Sequence, residues 1–229
     1  MRPPLRQNVK FYLSVEGETE KWFFEHVRDL INASPDARYR LALRCDVEKQ
    51  PLDMAKRLPV PKGPGIDVWH VFDFESESEQ HRNNFQGALR QMRDANAMGK
   101  KLRYRPAYSN FTFDLWMVLH RRGVIHCGHR DDYLRQINAA YGTNFREMHE
   151  YKREANFKGL LKGIGLQDVS DAVARAKRMN EATLRNGART AEHCGFSYCL
   201  DNPYTELYKV VDEMLARTHA LPRTANGGR

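Results

Sequence analysis

The sequence predicts an α/β protein, in which a parallel β-sheet flanked by helices is followed by a C-terminal helical extension. Strand and helix patterns alternate in the first half of the chain, which is typical of a parallel sheet with helical crossovers. After about residue 131 only helical patterns follow. The chain has 229 residues, 41% of them apolar, which suits a folded core with a helical appendage. We place the core at 8–125 and the extension, packed on it, at 126–221.

The first strand and the first helix flank a short acidic turn. Phe11–Val15 is a short apolar run, and its length and residue types favour a buried strand that ends at Glu16 and Gly17. Gly17 permits a tight turn there, and Thr19 can cap the helix that follows. Largely apolar side chains recur at helical spacing after it, at Trp22, Phe23, His26, Val27, Leu30 and Ile31.

The second and third strands are separated by a short helix and a loop. Arg40–Val47 reads as a strand and Leu52–Leu58 as a helix. The segment Pro59–Gly65 contains three prolines and two glycines, which predicts a loop. Asp67–Phe72 is the third strand, and Asp73 follows it directly.

A helix, a fourth strand and another helix complete the predicted core. The helix has its apolar residues at relative positions 0, 3, 4 and 7, namely Phe85, Ala88, Leu89 and Met92. Arg103–Tyr108 is the fourth strand, and Pro106 favours a place at the sheet edge. Ser109 and Asn110 can cap the next helix, which has an apolar body around Trp116.

The extension is predicted to be helical throughout. Its candidate helices are Asp131–Tyr141, Phe145–Leu161, Asp168–Arg185 and Pro203–Arg217. The last would begin with Asn202 as its cap and Pro203 at the first helical position, a favoured pairing.

The charge balance favours a polyanionic partner. The chain has 37 basic and 29 acidic residues, a net charge of +8, and nucleic acid is the first candidate for such a surface, although ordinary solubility also explains it. No apolar run approaches the roughly 20 residues needed to cross a membrane, and the N-terminus lacks a signal-peptide pattern. We therefore expect a cytoplasmic protein without a membrane segment.

Four cysteines raise the question of a zinc site. In a cytoplasmic chain they are expected to be reduced. Cys45 stands alone, and the other three belong to two clusters with histidines, His126-Cys127-Gly128-His129 and His193-Cys194 with Cys199. Neither cluster has a paired CxxC spacing, so thiols without a metal are the favoured interpretation and a zinc site built from both clusters is the alternative.

Three acids follow two of the predicted strands. Glu16 follows the first, and Asp73 and Glu75 follow the third. Ligands in an open parallel sheet bind beyond the carboxyl ends of its strands. If the third strand stays extended, Asp73 and Glu75 point to one side and Phe74 to the other. Carboxylates at one edge suit Mg²⁺ or Mn²⁺. Acids are also common at turns and helix starts, so spacing alone leaves a structural role open.

Short motifs in order along most of the chain resemble one family. Val15-Glu16-Gly17-Glu18-Thr19-Glu20 resembles the first motif of Toprim domains, and Val71-Phe72-Asp73-Phe74-Glu75 their DxD motif. With Ser109-Asn110, Phe113-Asp114-Leu115-Trp116, Leu119-His120 and Asn202-Pro203-Tyr204-Thr205, the chain resembles the RloB-like family of Toprim proteins associated with bacterial abortive infection. Phe111, Asp114 and Glu75 depart from residues usual in that family, where proline, glutamate and aspartate are common.

The resemblance implies a Toprim-like, Rossmann-like core and metal-dependent phosphoryl transfer. In that scheme Glu16, Asp73 and Glu75 are catalytic and hold Mg²⁺ or Mn²⁺, with Glu16 as general acid or base. It also implies a nuclease that is the effector of an antiviral system, acts on RNA such as tRNA rather than DNA, and works with a partner ATPase. Glu20 is the candidate for a further metal ligand, although acids are favoured at helix starts anyway.

Further residues are candidates for substrate binding. A basic stretch from Arg90 to Arg105 includes Lys101 and Arg103, which could line a phosphate path or a solvated helix face. Asn110 and Lys152 are the other two candidates, since a lysine near a metal can stabilise a reacting oxygen. We expect His120, at a helix end, to interact with the helix dipole.

Two other functions compete with the nuclease. The chain could be a non-catalytic adaptor that binds nucleic acid or protein and has a structural acidic cluster. It could also be a metal-dependent phosphatase or ligase that acts on nucleic-acid ends.

Overall fold

The computed structural model describes residues 6–124 and 126–221, and a five-stranded sheet lies at its centre. The strands are β1 Asn8–Val15, β2 Arg40–Val47, β3 Ile66–Asp73, β4 Leu102–Asn110, β5 Thr190–His193, β6 Phe196–Cys199 and β7 Tyr204–Thr205. The helices are α1 Glu18–Ala33, α2 Pro51–Arg57, α3 Glu79–Asn96, α4 Asp114–Leu119, α5 Tyr133–Tyr141, α6 Met148–Tyr151, α7 Glu154–Leu161, α8 Leu166–Arg185 and α9 Leu207–Thr218. Within the described ranges, no helix is long and apolar enough to cross a membrane.

The sheet confirms the predicted fold class. Its strand order is β2-β1-β3-β4-β7; the first four strands are parallel, and β7 is antiparallel to β4. The register pairs Val15 with Val71 and Asp73 with Ser109. The carboxyl ends of β1, β3 and β4 therefore meet at one edge of the sheet, which we call the carboxyl edge.

Side chains alternate between the two faces of the sheet and form two apolar layers. On β3, Trp69 and Val71 pack with the helices around α1 and α4, whereas Val68 and Phe72 pack with α2 and α3. Burial on both faces explains why the strand sequence is a continuous apolar run rather than an alternating one.

Pro106 lies on the exposed part of β4, as predicted for an edge strand. Among the described residues, the other side of β4 pairs only with β7, at Ser109 and Asn110. The neighbouring N–H of Tyr104 donates to the Asn96 side chain at 2.6 Å. The proline and this capped donor protect the edge from pairing with another chain.

The prediction of helices alone after residue 131 is wrong, because two strands of a hairpin and a fifth sheet strand lie there. Strands β5 and β6 pair around Cys194 and Gly195, both of which have positive φ angles of 53° and 79°. Two residues with positive φ form the tight turn that joins antiparallel strands.

Helix α9 begins at Leu207 rather than at Pro203, so the predicted Asn202 cap is wrong. Tyr204–Thr205 instead forms β7. The Asn180 side chain holds the Thr205 backbone on its other side, donating to its carbonyl at 2.7 Å and accepting from its N–H at 3.1 Å. Pairing with β4 and α8 outweighs the local helix signal.

Two further predicted helix starts are corrected. Helix α1 begins at Glu18 with Gly17 in the cap position, so Thr19 is not its cap. Ser109 and Asn110 belong to β4, and α4 begins only at Asp114. The predicted helix Phe145–Leu161 is divided into α6 and α7 around Lys152 and Arg153. The domain division at residue 125 stays a prediction.

Candidate active site

Glu16 and Asp73 meet at the carboxyl edge. Glu16 follows β1 directly, and Asp73 is the last residue of the neighbouring β3. The backbone N–H of Asp73 donates to Oε2 of Glu16 at 3.2 Å. The turn after β1 is thereby hydrogen-bonded to the end of β3. The structure brings together the two acids that the sequence places at strand ends.

Glu20 joins them from the first turn of α1. Its side chain is buried and accepts a hydrogen bond from Thr19 Oγ1 at 2.9 Å. Gly17 has an extended backbone, with φ of −150°, so it does not supply the tight turn expected of it. A Cβ at Gly17 would lie only 2.9 Å from Oε2 of Glu20. The glycine leaves room for the Glu20 carboxylate.

We expect Gly17→Ala to displace that carboxylate without unfolding the protein. The clash is with the end of a flexible side chain, so the melting temperature should change by less than roughly 2 °C, while Mn²⁺ affinity measured by calorimetry should fall about tenfold. Gly165→Ala is the matched control, because Gly165 also caps a helix, α8, and its Cβ would lie 3.7 Å from Oδ2 of Asp168. Equal metal affinities for the two variants would contradict this role of Gly17.

Asp114 and Lys152 complete the cluster. Asp114 opens α4, is 1% exposed, and accepts from Thr112 Oγ1 at 3.0 Å. Nζ of Lys152 lies 3.4 Å from Oδ2 of Asp114. The pKa of Lys152 is raised, chiefly by Asp114 and then by Asp73 and Glu20. Lys152 is therefore a cation shared by three carboxylates.

The pKa values of the acids show that negative charge is in excess. Burial first, then the charges of Glu20 and Glu75, raise the pKa of Glu16 to about 7, against the lowering effects of the Asp73 N–H and Lys49. Burial first, then Glu20 and Glu16, raise the pKa of Asp73 well above its usual range. Burial also raises the pKa of Glu20, against the lowering effect of Lys152. The cluster would be stabilised by protons or by a further cation.

Glu75 lies beside the cluster in a different arrangement from the one expected. Strand β3 ends at Asp73, and Glu75 has φ of 60°, so the predicted strand alternation does not continue. Its carboxylate contacts His81 Nε2 at 2.9 Å and Arg130 Nη1 at 3.2 Å. Phe74 is nevertheless buried on the α3 side, against Phe85 and Tyr198.

Two cavities open on either side of Asp73 and Glu75. The first has a volume of about 410 Å³, lies between β3 and α3, and is lined also by Glu16 and Lys49. The second, of about 210 Å³, is lined by Asp114, Arg130 and Lys152 among others. The carboxylates thus lie between two cavities that are each lined by cationic side chains.

The donor chemistry of the cluster fits a hard divalent cation. Carboxylate oxygens are the ligands that Mg²⁺ and Mn²⁺ prefer, and a cation would relieve the repulsion that raises the three pKa values. Over the described ranges, however, no group of three His, Cys, Asp or Glu side chains is already arranged as a ligand set. Cation binding would therefore require side chains to rearrange. The four cysteines form no disulfide with one another, and the zinc alternative gains no preformed site among the same residues.

Lys101 and Arg103 lie far from the cluster. Arg103 Nη2 contacts Oδ2 of Asp67 at 2.6 Å, at the opposite end of β3 from Asp73, about 20 Å away by strand rise. Lys101 precedes β4 at the same end. Elsewhere in the basic stretch, Lys100 donates to three backbone carbonyls, of Ala55, Lys56 and Leu58. The structure does not bring this stretch together with the acids.

Asn110 and His120 are both buried. Asn110 Nδ2 donates to the carbonyl of Leu200 at 2.7 Å, which ties β4 to the segment after β6. His120 Nδ1 lies 2.9 Å from the carbonyl of Trp116, and burial lowers its pKa to about 4. This contact, between the ring and a carbonyl of the last turn of α4, agrees with the interaction expected at the helix end.

Asp114 and Lys49 lie at the site but were not among the residues predicted for it. Asp114 looks like any acid in a first helical turn, and its motif was the signal that could have identified it. Lys49 lies two residues after the end of β2 and directly follows Glu48. Its ammonium group lowers the pKa of Glu16, which places its charge at the site.

One comparison with known proteins gives a match. The family described as RloB-like protein matches residues 11–214, which is most of the chain. No curated protein and no solved structure matches it significantly.

Proposed function

Since the chain belongs to the RloB-like protein family and gathers buried carboxylates at the carboxyl edge, we propose that it is a metal-dependent nuclease. The reaction is hydrolysis of phosphodiester bonds, with RNA such as tRNA favoured over DNA. The observation that carries the proposal is the cluster of Glu16, Glu20 and Asp73, whose pKa values are all raised, first by burial and then by the charges of neighbouring carboxylates.

Glu16 is the candidate general acid or base. A group transfers protons best when its pKa lies near the working pH, and burial raises the pKa of Glu16 to about 7. Its Oε2 is fixed by the Asp73 N–H at 3.2 Å, and the residue lines the larger cavity. At neutral pH the group can therefore take a proton from water or return one to a leaving oxygen.

Asp73 and Glu20 are the candidate ligands of Mg²⁺ or Mn²⁺, and Glu75 would join them after leaving His81 and Arg130. Such a cation, when bound, lowers the pKa of water and neutralises charge on a phosphoryl group. Lys152, held by Asp114 at 3.4 Å, and Lys49, at the rim of the larger cavity, supply positive charge for phosphate oxygens.

The biological setting is part of the same proposal. The family resemblance supports an effector in antiviral defence or abortive infection, a partner ATPase that restrains or triggers it, and a cytoplasmic location. The net charge of +8 supports a nucleic-acid partner.

The direct test is cleavage by the purified chain. Labelled total RNA and DNA are incubated with protein and Mg²⁺ or Mn²⁺, with and without EDTA, and products are followed on denaturing gels. We expect RNA cleavage that EDTA stops and that Glu16→Gln lowers by roughly 10²–10⁴-fold. Equal cleavage by wild type and Glu16→Gln would exclude the proposed site. Analysis of product ends separates an endonuclease from a phosphatase or ligase.

The adaptor remains the second candidate, and one observation favours it. Glu75 is already held by His81 and Arg130, and the described residues contain no preformed ligand set. An adaptor predicts that calorimetry detects no Mn²⁺ binding and that RNA binding is unchanged in Glu16→Gln. A nuclease predicts binding of the metal in the wild type that the substitution weakens.

A further inference from the structure

The larger cavity at the carboxyl edge extends well beyond the acids, along one face of α3. Its volume of about 410 Å³ falls within the range of small-molecule sites, about 300–1,000 Å³. Away from Glu16 and Asp73 its lining changes from carboxylates to carboxamides, contributed by Gln50, Asn83, Asn84 and Gln91. The cavity therefore has an acidic end and an amide end.

The floor of the amide end is a glycine in the middle of a helix. Gly87 lies in the interior of α3, where glycine weakens a helix relative to alanine. A Cβ at Gly87 would meet no atom within 4 Å, and its φ is not positive. Neither packing nor backbone conformation requires this glycine. Its effect is to keep open the space above the helix.

The amide groups nearest this floor are available to a ligand. Within the described part of the chain, the side chains of Asn83 and Asn84 make no hydrogen bond, whereas Gln91 contacts Gln50 and the Leu52 N–H. Asn83 and Gly87 are one helical turn apart, so they share a face of α3. Asparagine amides offer a donor and an acceptor side by side, the pattern that pairs with the edge of a nucleobase.

A lysine side chain lies beside the position expected for a phosphate group. Lys49 is exposed at the rim and forms no ion pair within 4.0 Å among the described residues, although its charge lowers the pKa of Glu16. The sequence of groups along the cavity is thus carboxylates, a free ammonium group, then amides. This order matches a scissile phosphate followed by the base of the adjoining nucleotide.

We propose that the cavity over Gly87 holds the base of one unpaired nucleotide, next to the phosphodiester bond placed at Glu16 and Asp73. The inference rests on the proposed function for its ligand. A base inside a duplex is stacked and paired, so it must be extruded before it can enter the cavity. The substrate class is therefore single-stranded or loop nucleic acid rather than continuous duplex.

Filling the cavity from its floor tests this subsite. Binding of a labelled twelve-nucleotide single-stranded RNA, and of the same RNA in a duplex, is measured by fluorescence anisotropy with Mg²⁺. All proteins carry Glu16→Gln, so that binding is measured without hydrolysis. Gly87→Leu should weaken single-strand binding at least about tenfold and, by improving the helix, raise the melting temperature by about 2–4 °C.

Gly159→Leu is the matched control. Gly159 is also a helical glycine, in α7, and its Cβ would meet nothing within 4 Å. It should stabilise the protein in the same way and leave RNA binding unchanged. Asn84→Ala should weaken single-strand binding without filling the cavity, because it removes a hydrogen-bonding amide.

The outcomes separate the subsite from the nuclease. Unchanged single-strand binding in Gly87→Leu, equal binding of duplex and single strand by the parent protein, or no binding of either overturns the subsite. If the wild type cleaves RNA and Gly87→Leu binds normally, only the subsite fails. If Gly87→Leu weakens binding but the wild type cleaves nothing, the nuclease fails and the subsite stands.

Discussion

Asp73→Asn is expected to lower metal-dependent cleavage by roughly 10³-fold, because the loss of one anionic ligand removes several kcal/mol of transition-state stabilisation. Asparagine has the same shape and keeps one oxygen, but it does not carry the charge that balances a divalent cation. The backbone N–H that holds Glu16 is unaffected. The measurement is the single-turnover rate on labelled RNA at saturating Mn²⁺.

The same substitution should stabilise the protein when no metal is present. The pKa of Asp73 is raised by burial and by the charges of Glu20 and Glu16, so its charged form opposes folding at neutral pH. A neutral side chain removes that repulsion, and thermal unfolding in EDTA at pH 8 should occur at a higher temperature than in the wild type. A loss of activity through misfolding would give the opposite shift.

Asp67→Asn is the matched control for this prediction. Asp67 lies on the same strand at its other end, where Arg103 and Arg105 lower its pKa. The substitution removes exposed ion pairs, which contribute little, about 0–1 kcal/mol. It should leave cleavage unchanged and should not raise the melting temperature. If Asp67→Asn and Asp73→Asn reduced activity equally, the carboxyl edge would not be the active site.

The core of the fold could be predicted because its signals are local. Strands β1 and β3 contain apolar runs that end at turn residues, and the helices around them repeat with a period near 3.6. Strands β2 and β4 include charged residues and had a weaker signal. Tertiary contacts decide the parts that were predicted wrongly. Tyr204–Thr205 becomes a strand through β4 and Asn180, partners far away in the sequence. The hairpin had a local signal in Cys194-Gly195, although its strands are only four residues each.

In the candidate site, too, the features with local sequence signals could be predicted and those that depend on tertiary contacts could not. Glu16 and Asp73 could be placed because parallel strands must end at a common edge. The side-chain direction of Glu75 depends on a positive φ at a residue that is not glycine. No spacing rule predicts that backbone conformation. Asp114 and Lys152 reach the cluster through the packing of α4 and α6. Lys152 was predicted as a substrate-binding residue, but its ion-pair partner Asp114 was not predicted at the site. Arg103 was predicted to bind substrate because of its charge, but charge alone does not indicate at which end of a strand a residue lies.

The metal-free protein should lose stability as pH rises, and Glu16 should account for a measurable share of that loss. The pKa of Glu16 is raised from 4.5 to about 7 on folding. Between these values the folded state holds a proton that the unfolded state has released, so its stabilising contribution is fully present below pH 4.5 and is lost as pH rises through 7. The difference of about 2.5 pKa units corresponds to roughly 3 kcal/mol.

Two buried histidines have the opposite effect on the pH dependence of stability. The experiment must therefore compare two proteins rather than follow one. Burial lowers the pKa of His70 to about 3 and that of His120 to about 4. Their contribution is present above pH 6.5 and is lost as pH falls, because the unfolded state then takes up protons that the folded state does not. The wild-type melting temperature alone therefore mixes both effects, whereas the histidine contribution cancels when wild type and Glu16→Gln are compared.

The comparison is made in EDTA from pH 4.5 to pH 8. Glutamine keeps an oxygen that can accept from the Asp73 N–H, so only the charge is removed. Glu16→Gln should gain stability relative to wild type as pH rises through this window, and the gain should level off at roughly 3 kcal/mol above pH 7. Saturating Mn²⁺ should stabilise the wild type and so reduce or reverse this difference at pH 8, since the cation replaces the protons. A difference that is constant with pH would mean that the Glu16 carboxylate is not forced to hold a proton by its surroundings, and neither the general-base role nor the excess of charge at the carboxyl edge would stand.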